Sequence, residues 1–77
     1  FDMVVFDRNA AACQIFEIKH STEVVKYQYR HLIDQEKCAQ TEHRYGSITK
    51  KTVLYRGENQ MVEGIWYQNV EEYLKNL

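Results

Sequence analysis

Proline is absent from this sequence and glycine occurs three times. No Pro/Gly-rich linker is therefore available, and 77 residues amount to one small domain or a part of one. No apolar run approaches the roughly 18 residues that a membrane-spanning helix needs. No basic segment followed by an apolar one marks a secretory signal. These absences predict a chain without membrane partners, in the cytoplasm. No CxxC pair occurs, and Cys13 and Cys38 have no histidine at zinc spacing, so the expectation is two free thiols in a reducing compartment. An excess of either charge is lacking too: 10 Lys+Arg stand against 11 Asp+Glu, for a net charge of −1. That excludes a generally basic surface for nucleic acid and leaves room only for a local patch. GxxxxGK[ST] does not occur, so the chain cannot hold ATP through a Walker motif. There is no internal repeat and no low-complexity segment.

What is present suffices for a core: 44% of residues are hydrophobic and 13% aromatic, which argues against disorder. Residues 2–7 (DMVVFD) form a β-prone run, Arg8-Asn9-Ala10-Ala11 a short connection, and residues 13–20 (CQIFEIKH) a second run. Together they predict an antiparallel hairpin. Ser21-Thr22-Glu23 then offers N-cap residues. From there to about Arg44 the apolar positions Val25, Tyr29, Leu32, Ile33 and Ala39 recur at helical spacing, predicting one long helix that ends at Gly46. Residues 51–56 (KTVLYR) predict a third strand, closed by residues 57–60, and residues 64–67 (GIWY) a short fourth. Asn69 predicts the cap of a closing helix from Val70 to Leu77, with Val70, Tyr73, Leu74 and Leu77 turned inward. The expected class is α/β, a mixed sheet with flanking helices in the order ββαββα.

The second run carries an unexpected pair of charges. Strand side chains alternate faces, so Cys13, Ile15, Glu17 and Lys19 share one face while Phe16, Ile18 and His20 share the other. If residues 8–11 form a four-residue loop, Asp7 lies opposite Ala12 and Asp2 falls across from Glu17. Directly opposite residues project to one face. This register gathers Asp2, Glu17 and Lys19. Two carboxylates can hold a Mg²⁺ that keeps several waters and takes a phosphate oxygen as a further ligand. Such a metal acidifies a bound water, and the lysine offsets charge that develops on phosphate. The alternative is a cross-strand ion pair without chemistry.

Asp2 followed, after a hairpin, by Glu17-Ile18-Lys19 resembles the D…ExK core of the PD-(D/E)XK nuclease-like superfamily. Across nearly the whole chain, FDMVVFDRN, CQIFEIKHS, QYRHLID, VLYRGE, GI and NVEEYL are similar to a C-terminal domain of unknown function in bacterial and archaeal AAA-type (P-loop) ATPases. The resemblance implies a truncated restriction-endonuclease-like fold. Asp2 and Glu17 would be its metal ligands for Mg²⁺, and Lys19 its catalytic base or charge stabiliser. Gln28 or His31 from the following helix could add a polar group. It also implies DNA as the partner and an ATPase domain in cis. Superfamily members open with a helix and a strand that would precede Phe1. With the strand pattern starting at once and no initiator Met, the chain is therefore expected to be the C-terminal fragment of a nuclease-like domain, residues 1–77, with little activity of its own. A sheet edge left without its strand would invite pairing into a homodimer.

Other residues have plainer expectations. His20 suits a structural role, and His31 and His43 lie 12 positions apart, too far for joint ligation. Trp66, Tyr67, Tyr55 and Tyr73 read as core and sheet surface before they read as a base-stacking platform. Arg30, Arg44, Lys50, Lys51 and Arg56 read as a solvated set that could also track phosphate. Three functions compete: a Mg²⁺-dependent nuclease in the parent protein, a non-catalytic DNA-binding or protein-interaction module coupled to the ATPase, and an α/β module of some other class. A sheet in which Asp2 and Glu17 are not neighbours would select the last.

Overall fold

The computed structural model describes residues 1–24 and 26–77, apart from the side chains of Lys26 and Gln28. The elements run β1 (Met3–Asp7), β2 (Ala12–Ile18), a 3-10 turn (Lys26–Tyr29), α1 (Gln35–Tyr45), β3 (Ser47–Tyr55), β4 (Gln60–Val62), β5 (Ile65–Asn69) and α2 (Val70–Lys75). The strands form one five-stranded sheet in the order β1-β2-β3-β5-β4. The two outer pairs are antiparallel, while β2, β3 and β5 run parallel. An α/β fold with a mixed sheet and two helices is thus what the chain adopts. The observed order is ββαβββα, because β4 begins at Gln60, the last of the residues expected to close β3, and runs through Met61 and Val62, which had no expected element.

The opening hairpin has the expected register, with Asp7 paired to Ala12 and Met3 to Phe16. Its turn is built by Asp7, whose Oδ1 accepts from the N–H of Asn9 at 2.9 Å and of Ala10 at 3.3 Å. Ala11 completes the loop at φ 50°, a left-handed conformation that a non-glycine residue adopts at some cost. Parallel β2 and β3 need a crossover, which the 3-10 turn and α1 supply.

The long helix expected to follow Ser21-Thr22-Glu23 and run to about Arg44 is not formed. Asp34 intervenes as an N-cap, accepting from the N–H of Lys37 at 3.0 Å, so α1 begins only at Gln35. Upstream, Tyr29 and Leu32 bury themselves from turns, while Ile33, at equivalent helical spacing, is 52% exposed. The recurring spacing was real, but turns rather than α-helix satisfy it. The expected helical position of Val25 lies outside the described residues. Gly46 ends α1 at φ 97°, and its N–H donates to the carbonyl of Glu42. A Cβ there would lie 1.9 Å from the carbonyl oxygen of Ala11, so only glycine fits.

β4 and β5 are joined by Glu63 and Gly64, both at positive φ (50° and 82°), the signature of a tight two-residue hairpin. Asn69 caps α2 as expected, accepting from the N–H groups of Glu71 and Glu72. The inward face expected for α2 is only partly realised: Val70 and Tyr73 are half-buried, but Leu74 is 60% and Leu77 83% exposed. α2 is only six residues long and ends at Lys75, so Leu77 lies beyond it.

The main core lies on the α1 side of the sheet, where Ile15, Val53, Tyr55, Ile65 and Tyr67 meet Tyr29, Leu32 and Cys38. Tyr67 is its centre, edge-on to both Tyr29 and Tyr55 with ring centroids 6.2 and 5.1 Å away. The opposite face carries α2, where the ring of Tyr73 lies tilted 5.6 Å from that of Phe16. Both cysteines are buried and unbridged. No helix among the described residues is long and apolar enough to cross a membrane.

Candidate metal and phosphodiester site

Asp2 immediately precedes β1, whose pairing with β2 ends at Met3 and Phe16, and its side chain lies beside Glu17. The backbone N–H of Asp2 donates to the carbonyl of Phe16 at 3.0 Å. Its carboxylate Oδ2 in turn accepts from the N–H of Ile18 at 2.8 Å. Asp2 therefore clamps the backbone of the very Glu-Ile-Lys segment whose side chains it joins. Sequence reasoning did not find the Ile18 N–H as the anchor, because a backbone donor leaves no mark in residue identity. On its other side β2 continues into the sheet, with the N–H of Lys19 donating to the carbonyl of Leu54 at 2.9 Å.

Glu17 shares its face with Ile15 and stands beside Val53 of β3, at 4% exposure. A carboxyl group in that apolar setting is costly to ionise, and burial raises its pKa; the hydrogen bond and negative charge of Asp2 raise it further, while Lys19 pulls it down. Asp2 sits at the solvent side of the pair, and its pKa is lowered, first by the Ile18 N–H, against the opposing effect of burial and with further help from Glu17 and the charge of Lys19. The two carboxyl groups thus lie within hydrogen-bonding reach and divide their roles. The Ile18 N–H favours the charged form of Asp2, while burial and then Asp2 favour the protonated form of Glu17. Lys19 enters through its charge rather than through a hydrogen bond.

The structure brings together Asp2, Glu17 and Lys19, the three residues expected to meet. It does not bring His31 to them. The Nδ1 of His31 lies 2.8 Å from the Nζ of Lys37, at the exposed start of α1. The side chain of Gln28 lies outside the described residues. His20 is exposed beyond the end of β2, and Tyr55 and Tyr67 are too deeply buried to stack on a base. Trp66 is half-buried with the Nζ of Lys50 5.7 Å from its ring, and Arg44 lies over Tyr45 at 5.9 Å. Lys50 and Lys51 also line a depression of about 500 Å³ with Ile48, Ile65, Trp66 and Met61.

Among the described residues, no group of three or more His, Cys, Asp or Glu could enclose a metal ion. The two carboxylates at the hairpin end form a smaller oxygen donor set. That set fits a hard, hydrated cation such as Mg²⁺, which retains several waters and binds through one or two carboxylates. It does not fit a closed structural site such as zinc occupies. No protein-family model, curated protein or solved structure matches this chain.

Proposed function

We propose that the chain carries the nuclease-like centre of a PD-(D/E)XK domain and that, in a longer AAA-type ATPase, this centre hydrolyses phosphodiester bonds in DNA with Mg²⁺. The observation that supports this reading most directly is the clamped carboxylate of Asp2 beside buried Glu17. A carboxyl that burial and a facing carboxylate both push toward its protonated form is a natural place for a cation to replace a proton. Asp2 and Glu17 would hold the ion, which when bound supplies an acidified water and charge stabilisation at phosphate. Lys19 keeps its ammonium at the rim of the pair, where it offsets negative charge building on the scissile group. The burial of Glu17 excludes water from one side of the site and strengthens those interactions. Both unbridged thiols suit a reducing cytoplasm.

The test is plasmid nicking by the full-length parent with Mg²⁺. Lys19→Ala should lower the rate by about 100-fold or more, as expected for loss of a transition-state charge partner. Equal nicking by both proteins would refute the catalytic assignment. It would favour the second reading, a non-catalytic DNA-binding or interaction module coupled to the ATPase. The observation on the side of that second reading is the small donor set, which stops at two carboxylates among the described residues.

A further inference from the structure

β1 is the outermost strand of the sheet. One of its edges pairs with β2, and the other has no strand against it among the described residues. Exposed edges are usually blunted by a lysine, a proline or a bulge. MVVFD contains no lysine or proline, and the sheet's register shift lies between β2 and β3, not in β1. Val5 and Phe6 stand 46% and 45% exposed on opposite faces of this strand. An open, apolar edge of this kind is a template for another strand.

We propose that the open edge of β1 pairs with the same edge of a second copy, antiparallel about a two-fold axis through Val5. The charge pattern selects this register. With Val5 on the axis, Val4 meets Phe6 of the partner subunit and Asp2 meets Arg8 of the partner subunit. Sliding by one residue in one direction opposes Asp2 to Asp7 of the partner subunit, two like charges. Sliding the other way sets Val4 against Asp7 of the partner subunit. Of the three, only the first register sets acid against base without opposing two like charges, with Met3 meeting Asp7 of the partner subunit as its one mismatch. Such a contact is isologous, closes on itself and removes the open edge from both chains.

The pairing has a consequence for the carboxylate site, and this part rests on the nuclease reading. In this register Arg8 of the partner subunit, the first residue beyond β1, comes opposite Asp2, the residue just before it. Each site thereby gains a guanidinium suited to a phosphate.

The test weighs the chain by sedimentation at about 100 μM, a concentration at which weak interfaces are populated. The expected result is a concentration-dependent dimer that Val5→Lys converts to a folded monomer, since it puts two ammonium groups face to face on the axis. In Val5→Cys, dioxygen should oxidise the two facing thiols to an intermolecular disulfide. Met3→Cys on the same face should cross-link poorly, because Met3 then faces Asp7 of the partner subunit. The native Cys13 and Cys38, 2% and 9% exposed, do not interfere. A monomer at that concentration overturns the proposal, as does a dimer indifferent to Val5→Lys or cross-linking favoured at Met3→Cys. No metal or DNA enters the measurement, so its failure would leave the carboxylate site as it stands.

Discussion

At the scale of single residues, Glu17 is where stability and function pull in opposite directions. Its folded pKa is raised above the ordinary 4.5, chiefly by burial and then by Asp2. The folded chain therefore binds more protons than the unfolded chain in the window between 4.5 and that raised value. In this window stability falls as pH rises. Asp2 acts with the opposite sign: its folded pKa lies below the ordinary 3.8, so its contribution is present above that value and is lost as pH falls through the lowered one. The two windows lie apart and can be read separately. Glu17→Gln keeps the shape and removes the charge. Melting temperatures across pH 4 to 8 should show the variant gaining on the wild type as pH rises, with the Glu17 slope flattened. A variant that loses stability at neutral pH would mean that the ionised carboxylate is itself stabilising. Thr52 provides a plainer case. Its Oγ1 is buried without a hydrogen-bond partner, on a residue with no exposure at all. Thr52→Val should stabilise the chain by about 1 kcal/mol in urea unfolding, since it removes a desolvated hydroxyl and keeps the volume.

At the scale of elements, two turns hold the architecture. Gly46 is required twice over, by its φ of 97° and by the backbone of Ala11 that occupies the place of a Cβ. Gly46→Ala should cost at least about 2 kcal/mol, measured by urea unfolding, because neither the torsion nor the neighbouring main chain can yield cheaply. The β4–β5 turn balances two competing effects. Asn at Glu63 would suit the left-handed φ of 50° better than Glu does, a gain of up to about 1 kcal/mol. Glu63, however, accepts the hydroxyl of buried Tyr29 at 2.7 Å, and an orphaned buried hydroxyl costs about 1–3 kcal/mol. The hydrogen bond outweighs the turn, so Glu63→Asn should destabilise. Adding Tyr29→Phe, which removes the orphan, should recover part of the loss. A double-mutant cycle showing no coupling would contradict this account.

At the scale of the whole molecule, one sheet is covered on both faces, and the carboxylate site lies at the end of its opening hairpin, on the side of the main core. The sequence made that end of the molecule legible. Strand alternation and a four-residue loop suffice to set the register from Asp7–Ala12 to Met3–Phe16, which brings Asp2 beside Glu17, because pairing register follows from the apolar pattern and the turn. The closing helix was legible through the Asn69 cap. The middle of the chain was not. Tyr29 and Leu32 keep helical spacing while lying in turns, and Asp34 reads equally well as a helix face and as a cap until tertiary packing decides. β4 escaped because Gln60–Val62 is three residues long and its Glu63-Gly64 turn lacks the usual asparagine. The signal that could have found it was two apolar segments, Met61-Val62 and Ile65-Trp66, separated by exactly the two residues of a tight hairpin. The account's central claim is that Glu17 and Asp2 share a proton that a divalent cation displaces. Its most direct test is an NMR titration of the Glu17 side-chain carboxyl against pH, with and without millimolar Mg²⁺. The claim requires a midpoint above the ordinary glutamate value without the ion and a clear fall when it is present. A midpoint that does not move with Mg²⁺ would leave the pair as a structural contact and remove the basis for hydrolysis at this site.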